Sequence, residues 1–183
     1  MWAIVLVAGI ALVTCGAIVW ALGRSSVSAD ATNRLEHSRD RLRQLAADRL
    51  DPSSGHPLED VSSVLHTHIQ RTAEGHGEAE LGFVGTSAGM ELTWVSSDNV
   101  SFRHEKDKEL LTRVTSQAAA SESVIETVRT PTSSYRVLIV PLQGGAQHGA
   151  LVHVIDLKVA ESQLRRTMAF YAAAAVFTVA LVT

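Results

Sequence analysis

Charge is confined to the middle of this 183-residue chain. All 16 Lys and Arg residues and all 19 Asp and Glu residues lie between Arg24 and Arg166, so neither end carries a charged side chain. A charged side chain at the centre of a bilayer costs about 3 kcal/mol, and membrane-spanning helices therefore avoid such residues. The distribution predicts a polar, folded middle domain between two apolar segments that enter a membrane.

The first uncharged segment, residues 2–22, contains no proline and has the length of about 20 residues that a helix needs to cross a bilayer. Trp2 and Trp20 lie near its two ends, and indole rings favour the level of the lipid head groups. A cleaved signal peptide is the alternative, but it would carry a basic start and a shorter apolar core. Cys15 lies in a stretch only weakly similar to a lipoprotein cleavage site, because the apolar run continues beyond it. The sequence therefore predicts a first transmembrane helix over residues 1–23.

The second uncharged segment follows Arg166. Residues 168–183 would extend about 24 Å as a helix, less than the roughly 30 Å of a bilayer core, and the chain ends within them. The sequence therefore predicts a truncated second transmembrane helix and a fragment of a longer protein. A complete protein with a short C-terminal anchor is the alternative.

A predicted strand leads directly into this second segment. The run of β-branched and aliphatic residues at 151–155 is typical of a buried strand. Beyond it, Leu157, Leu164 and Tyr171 recur at a seven-residue, helical spacing, and no Gly or Pro separates strand from helix. The pattern predicts a signalling helix over residues 157–183 that couples the folded domain mechanically to the membrane.

Two further helices are predicted before the first strand. Residues 24–50 carry an apolar stripe at nearly heptad spacing, which predicts a long membrane-proximal helix that pairs with its twin in a homodimer. Pro57 and Asp60 indicate the start of a second helix, and Gly75 and Gly77 are predicted to end it. The stripe of the first helix consists of Val27, Ala31, Leu35, Leu42 and Leu45.

The rest of the middle domain alternates between extended and helical patterns. The predicted elements are strands at 79–86, 91–97, 124–130, 135–142 and from 151, with a helix from 104 or 105 to 120. The predicted order is helix, helix, two strands, helix, three strands, helix. This order predicts an α+β fold.

Three stretches carry a resemblance to a known family: Ser134–Leu142, Gly149–Leu157 and Leu164–Arg166. With the two predicted spans and the order of elements, they resemble the input half of bacterial membrane-bound sensor histidine kinases, whose PAS-like sensor domain is of the Cache or PDC type. The resemblance implies a five-stranded antiparallel sheet and an extracytoplasmic sensor domain over residues 24–156. It also implies that a cytoplasmic linker and a kinase core follow residue 183. Chemoreceptors and membrane-bound cyclases carry sensors of the same type.

The function expected from this resemblance is to sense a signal and transmit it across the cell membrane for a two-component kinase. The 183 residues contain no phosphoacceptor-histidine box and no Gly-rich ATP-binding motif, so the chain itself is not expected to be an enzyme. The alternative is a membrane-anchored extracytoplasmic scaffold that binds a partner protein. The net charge of −3 offers no basic surface for nucleic acid, and no cofactor is predicted.

Four residues are candidates for binding a small anionic ligand. Arg103 and His104 resemble the Arg…His-Pro motif with which carboxylate-sensing members of this family hold their ligand, although here the two are adjacent and no Pro follows. Arg136 and His153 lie on neighbouring predicted strands, where a guanidinium and an imidazolium would suit an anion. The alternatives are a solvated loop for the first pair, a solvent-facing Arg136, and a half-buried His153 with a backbone partner.

The other histidines form a weaker pattern. His66 and His68 are two apart on a predicted helix and do not share a face, so with His76 and Glu78 or Glu80 they do not predict a metal site. If histidines titrate together, pH sensing is the function that they would indicate.

Overall fold

The computed structural model describes residues 2–73, 75–96, 103–144 and 146–182. Within these ranges it describes only the backbone of residues 2–9, 11–13, 24, 163, 168 and 174–182. The sequence also predicts a loop at residues 96–99, and most of it lies outside the described residues. The predicted order of elements and the α+β class are confirmed. The elements are α1 (Trp2–Asp48), α2 (Val61–Arg71), β1 (Glu78–Thr86), β2 (Gly89–Val95), a 3₁₀ turn (His104–Lys106), α3 (Lys108–Ala118), β3 (Val124–Arg129), β4 (Ser134–Gly144), β5 (Gln147–Asp156) and α4 (Leu157–Val182).

The five strands form one antiparallel sheet in the order β2-β1-β5-β4-β3. The last strand of the sequence is therefore the central strand in space, paired with β1 on one side and β4 on the other. Every residue of β5 from Gly149 to Asp156 is buried. The strand therefore contributes buried side chains to both faces of the sheet.

Helices cover both faces of the sheet. Side chains alternate along a strand, so Leu151 and Ile155 of β5 belong to the core beneath α1 and α2. Val152 and Val154 belong to the opposite core, beneath α3.

The apolar stripe predicted on α1 packs inside the chain. Ala31, Leu35 and Leu42 are 3%, 0% and 0% exposed and belong to the core shared with α2 and the sheet. Because the domain's own sheet covers these residues, they are not available as the dimer seam that their spacing predicts. The homodimer stays a prediction, without that seam to support it.

Capping residues determine where α2 begins and ends. The helix begins at Val61, later than the start that Pro57 predicts: the Asp60 carboxylate accepts a hydrogen bond from the Ser63 amide at 2.6 Å, as an N-cap does. The end is earlier than the glycines predict. Thr72 already has extended backbone, and its amide donates back to the His68 carbonyl at 3.1 Å.

The single helix predicted from residue 104 or 105 is wrong, because Asp107 divides it. Asp107 has extended backbone between the 3₁₀ turn and α3. Its carboxylate accepts from the amides of Glu109 and Leu110 at 3.2 Å each. This N-cap makes the α-helix begin at Lys108.

The joint between β5 and α4 is a single residue, Asp156. Its amide donates to the Gly77 carbonyl at 2.9 Å, which ties the end of β5 to the start of β1. Its carboxylate caps α4 by accepting from the amides of Lys158 (2.8 Å) and Val159 (3.3 Å). The Ser133 hydroxyl donates to the same oxygen at 2.6 Å. Strand and helix are therefore joined by an ordered, buried contact.

The seven-residue stripe predicted on α4 is only partly packed. Leu157 and Leu164 are half-buried, whereas Tyr171 is 67% exposed. Leu164 lies against Gly23 of α1, where an added Cβ would be 2.9 Å from the leucine methyl carbons. The two helices thus pack side by side where their charged portions end.

No helix among the described residues combines the length and the apolar character that crossing a membrane requires. The two predicted spans fall mainly on positions whose side chains are outside the description, at residues 2–9, 11–13 and 174–183. Both transmembrane helices stay predictions.

We expect Asp156→Ala to lower the free energy of unfolding by about 2 kcal/mol, because it removes the α4 cap and leaves the Ser133 hydroxyl buried without its acceptor. Urea unfolding of the full chain in mild detergent, followed by circular dichroism, measures the change. Asp156→Asn keeps an acceptor oxygen and should lose less than half as much. Asp30→Ala, at an exposed position of α1, is the control and should stay within about 0.5 kcal/mol. If Asp156→Ala behaves like this control, the joint does not depend on the carboxylate.

Candidate functional site

A group of ionisable side chains is buried on the sheet face beneath α1. Glu78 and Glu80 of β1 are 7% and 0% exposed, and His153 of β5 is 3% exposed. Glu80 and His153 are direct partners in the β1–β5 register, so their side chains lie on the same face. Ionised groups are rarely buried without partners, because removing each from water costs several kcal/mol. We call Glu78, Glu80 and His153 the buried charge cluster.

Three side chains from the covering helices complete the contacts of the cluster. Arg34 of α1 donates to Glu78 Oε1 at 2.9 Å. Ser38 of α1 donates to Glu80 Oε1 at 2.9 Å, from a position within the buried stripe of that helix. His68 of α2 places Nε2 3.4 Å from the same Glu80 oxygen. The cluster therefore connects both helices to the two central strands.

His153 is held between two carboxylates. Its Nδ1 lies 3.2 Å from Glu80 Oε1, and its Nε2 lies 3.6 Å from Glu78 Oε2. Neither ring nitrogen is aligned for a hydrogen bond, so the contacts are mainly electrostatic. Burial lowers the pKa of His153, but the two carboxylates outweigh burial and raise the pKa to about 9. His153 is therefore an imidazolium at neutral pH.

Glu78 and Glu80 remain ionised because their partners lower the pKa of each carboxyl group by more than burial raises it. Burial raises the pKa of Glu78, but His153, the Arg34 guanidinium and the Gly75 amide together lower it to about 2. For Glu80, burial again raises the pKa, and His153 and His68 outweigh it, so the net pKa is well below its usual range. The cluster does not titrate near pH 7, and His153 is not the proton-responsive group that pH sensing would require.

A groove of about 690 Å³ opens next to the cluster, between α1 and the segment that links α2 to β1. The buried Glu78 and His153 line it from the sheet, and the exposed Arg34 and Arg41 line it from α1. Two guanidinium groups at the entrance suit an anionic group such as a carboxylate. The complete lining is Arg34, His37, Asp40, Arg41, Gln44, Thr72, Ala73, Gly75, Glu78 and His153.

Two of the four predicted ligand residues, Arg103 and His104, lie elsewhere. Arg103 is exposed and paired with the carboxylate of Glu105. His104 is buried, with Nε2 3.2 Å from the Gly77 carbonyl and its ring edge-on to Tyr135 at 5.4 Å. Burial lowers the pKa of His104, so its ring is neutral at pH 7. The structure directs Arg103 and His104 to different surroundings.

Arg136 lies on the same sheet face as His153 but nearer the β3 edge. Its Nη1 donates to the Thr127 hydroxyl at 2.9 Å. In the register of β4 and β5, Arg136 is opposite Ile155, and Leu138 is opposite His153. Of the four predicted residues, only His153 belongs to the cluster and lines the groove beside it.

The sequence reasoning missed the carboxylates that define this site. Glu78 and Glu80 were considered only as metal ligands beside histidines. His153 was predicted to bind an anionic ligand, with a half-buried histidine that has a backbone partner as the alternative. Glu78 and Glu80 are two positions apart on a strand, so both lie on one face of it. This spacing is the sequence feature that could have identified the pair. The described residues contain no group of three or more ligating side chains arranged to hold a metal ion.

No protein-family model matches this chain, and none of the curated proteins matches it either.

We expect His153→Gln to lower the free energy of unfolding by about 3 kcal/mol at pH 6, because it leaves two buried carboxylates without their shared counter-charge. His148→Gln, at an exposed position of the same strand, is the control and should change stability by less than about 0.5 kcal/mol. Urea unfolding of the full chain, repeated between pH 4 and 9, measures both variants.

The pH profile tests the charge state of His153. The folded pKa is raised to about 9 from the ordinary 6.5, so the contribution of His153 is complete below about pH 6.5 and is lost as pH rises to about 9. The lowered pKa values of Glu78 and Glu80 make their contribution complete above about pH 4.5 and lost as pH falls. We expect the alkaline decline in the parent chain and its absence in His153→Gln. The same decline in both proteins would contradict a buried imidazolium.

Proposed function

We propose that the chain is the signal-receiving and signal-transmitting module of a membrane-bound sensor, of the type that precedes the kinase core in bacterial two-component systems. The observation that carries this proposal is that the central strand β5 passes into α4 without an intervening residue. His153 is three positions before Asp156, the cap of α4. A change in the contacts of the buried charge cluster is therefore close to the start of the output helix.

The transmitted change is a shift of α1 relative to β5 and α4. Arg34 and Ser38 tie α1 to the cluster, and Leu164 packs against Gly23 where α1 and α4 meet. A small anionic ligand in the groove would bind Arg34 and Arg41 and compete with Glu78 for the Arg34 guanidinium. Such a ligand shifts the equilibrium between two arrangements by the difference in its affinity for them.

Several features support a PAS-like, membrane-anchored version of this module. The five-stranded antiparallel sheet, the long N-terminal helix and the last strand feeding a terminal helix are those that the family resemblance implies. Large apolar side chains are also exposed near both uncharged ends, and exposed apolar surface favours lipid or a partner helix. They are Ile10, Ile18, Val19 and Leu22 of α1 and Phe170 and Tyr171 of α4.

The position of the middle domain is tested by cysteine labelling in intact bacterial cells. Cys15 is the only cysteine, so Ser53→Cys in a Cys15→Ser background places a single thiol in the exposed turn after α1. We expect a membrane-impermeant maleimide to label position 53 without permeabilisation, because the domain is extracytoplasmic. The parent chain, with Cys15 in the predicted span, is the control and should react only after detergent is added. Labelling of position 53 only after permeabilisation, or a chain released by alkaline carbonate, would contradict the proposal.

Transmission through α4 is tested by changing its phase. Residues 1–183 are fused to the linker and kinase core of a two-component system with a transcriptional reporter. One alanine inserted between Leu157 and Leu164 rotates the rest of the helix by about 100°, and we expect it to change reporter output severalfold. A seven-residue insertion at the same place nearly restores the phase and is the matched control. Equal outputs from the parent fusion and the one-residue insertion would rule out a rigid α4.

A further inference from the structure

A second groove, of about 800 Å³, lies nearer the N-terminus along α1, between the middle of α1, the start of α4 and the strands β3 and β4. It is separate from the groove beside the buried charge cluster, and the two have no lining residue in common. Its walls come from the parts of α1 and α4 that adjoin the uncharged ends of the chain. We call it the basal groove.

The basal groove is cationic. Three basic side chains, Arg129, Lys158 and Arg165, line it together with one carboxylate, Glu161, so the lining has a net charge of +2. The Lys158 ammonium donates to the Thr132 carbonyl at 2.7 Å, a contact that leaves its positive charge in place. Among the residues that the structure describes, Arg129 and Arg165 are exposed and form no ion pair. Three basic side chains from a strand and a helix therefore converge on one space.

Neutral groups add hydrogen-bonding and aromatic character to the same walls. Ser28 of α1 and Ser134 of β4 contribute hydroxyl groups, and Trp20 contributes a half-buried indole. Hydroxyl and guanidinium donors together suit phosphate oxygens. An indole favours the boundary between apolar chains and water.

The position of the basal groove distinguishes its ligand from a freely dissolved anion. Leu22, at the level of the groove, is 64% exposed, and Val19 of α1 and Phe170 of α4, next along their helices from lining residues, are 48% and 82% exposed. The charged part of the sequence ends at the same level, at Arg24 and Arg166. A ligand with an anionic head and apolar tails would contact both the basic groove and the apolar helix surfaces, whereas a soluble anion would use only the first.

We propose that the basal groove binds the phosphate head group of an anionic phospholipid, with Arg129, Lys158 and Arg165 as its ligands. This inference rests on the proposed function in one respect, namely that the uncharged ends of α1 and α4 enter the bilayer. Bound lipid would brace α1 against α4 on the side of the helix pair that faces β3.

Native mass spectrometry of the full chain in a neutral detergent tests the proposal. Phosphatidylglycerol and phosphatidylcholine with identical acyl chains are added in equal amounts, and bound copies of each are counted. Two net positive charges predict a preference of about thirtyfold for the anionic lipid. The variant R129Q/K158Q/R165Q should bind the two lipids within about twofold of each other. The control R39Q/R43Q/R71Q removes three arginines of α1 and α2 that do not line the basal groove and that contact Asp40, Ser123 and Asp51, and it should keep the preference.

The outcomes separate this inference from the proposed function. Equal binding of both lipids by the parent chain, or an unchanged preference in R129Q/K158Q/R165Q, would overturn the lipid site. Inorganic phosphate that displaces phosphatidylglycerol at equal phosphorus concentration would also overturn it, in favour of a site for free phosphate. Alkaline carbonate extraction of cell membranes is run on the same proteins. A chain that resists extraction but shows no lipid preference loses only the lipid site, whereas a chain that is extracted loses the membrane anchoring on which both rest.

Discussion

Two carboxylates and an imidazolium buried beneath one helix determine how the other elements are arranged. Glu80 is fully buried, and a carboxylate in that position costs several kcal/mol unless partners replace its water. The partners come from three elements that meet on this face: His153 from β5, His68 from α2 and Ser38 from α1. A slip of any of these elements would leave a buried charge unpaired, so the cluster specifies register and helix position in a way that the surrounding leucines alone do not.

Because β5 is the central strand, the contacts of the buried charge cluster also affect elements that lie far from it. β5 pairs with β1 and β4 over most of its length, and both cores pack against it. His153 and Asp156 are three positions apart, about 10 Å of extended chain. His153 holds the cluster, whereas Asp156 caps α4 and is itself held by Ser133 and Gly77. A central strand cannot shift independently of its neighbours, so the position of α4 is coupled to the same contacts that hold α1.

Local patterns in the sequence predict the order of the elements. They do not predict which element packs against each helix or sheet surface. The β-branched run before Asp156 acts within a few residues and was predicted, and Asp60 was predicted as part of a helix start but not as its N-cap. The apolar stripe of α1 was correctly placed on a helix, but spacing alone does not say whether a twin helix or the chain's own sheet covers it. Glu78 and Glu80 were missed as a site for a similar reason, since alternation assigns them to one face and only the packing of α1 shows that this face is buried.

The contacts of the cluster differ in how much free energy is needed to break them, and this difference indicates which contact an anion in the groove would change. His153 and Glu80 are almost completely buried, and separating such a pair costs about 3–5 kcal/mol. The Arg34 side chain is 63% exposed, so water screens its pairing with the buried Glu78 more than it screens the pairing of His153 with Glu80. An anion that binds in the groove would therefore compete for Arg34 more readily than it would separate the imidazolium from its two carboxylates. Arg34 is on α1 and His153 is on β5. Loss of the Arg34–Glu78 contact would therefore weaken the attachment of α1 to the sheet while β5 stays in place. The result would be a displacement of α1 relative to α4.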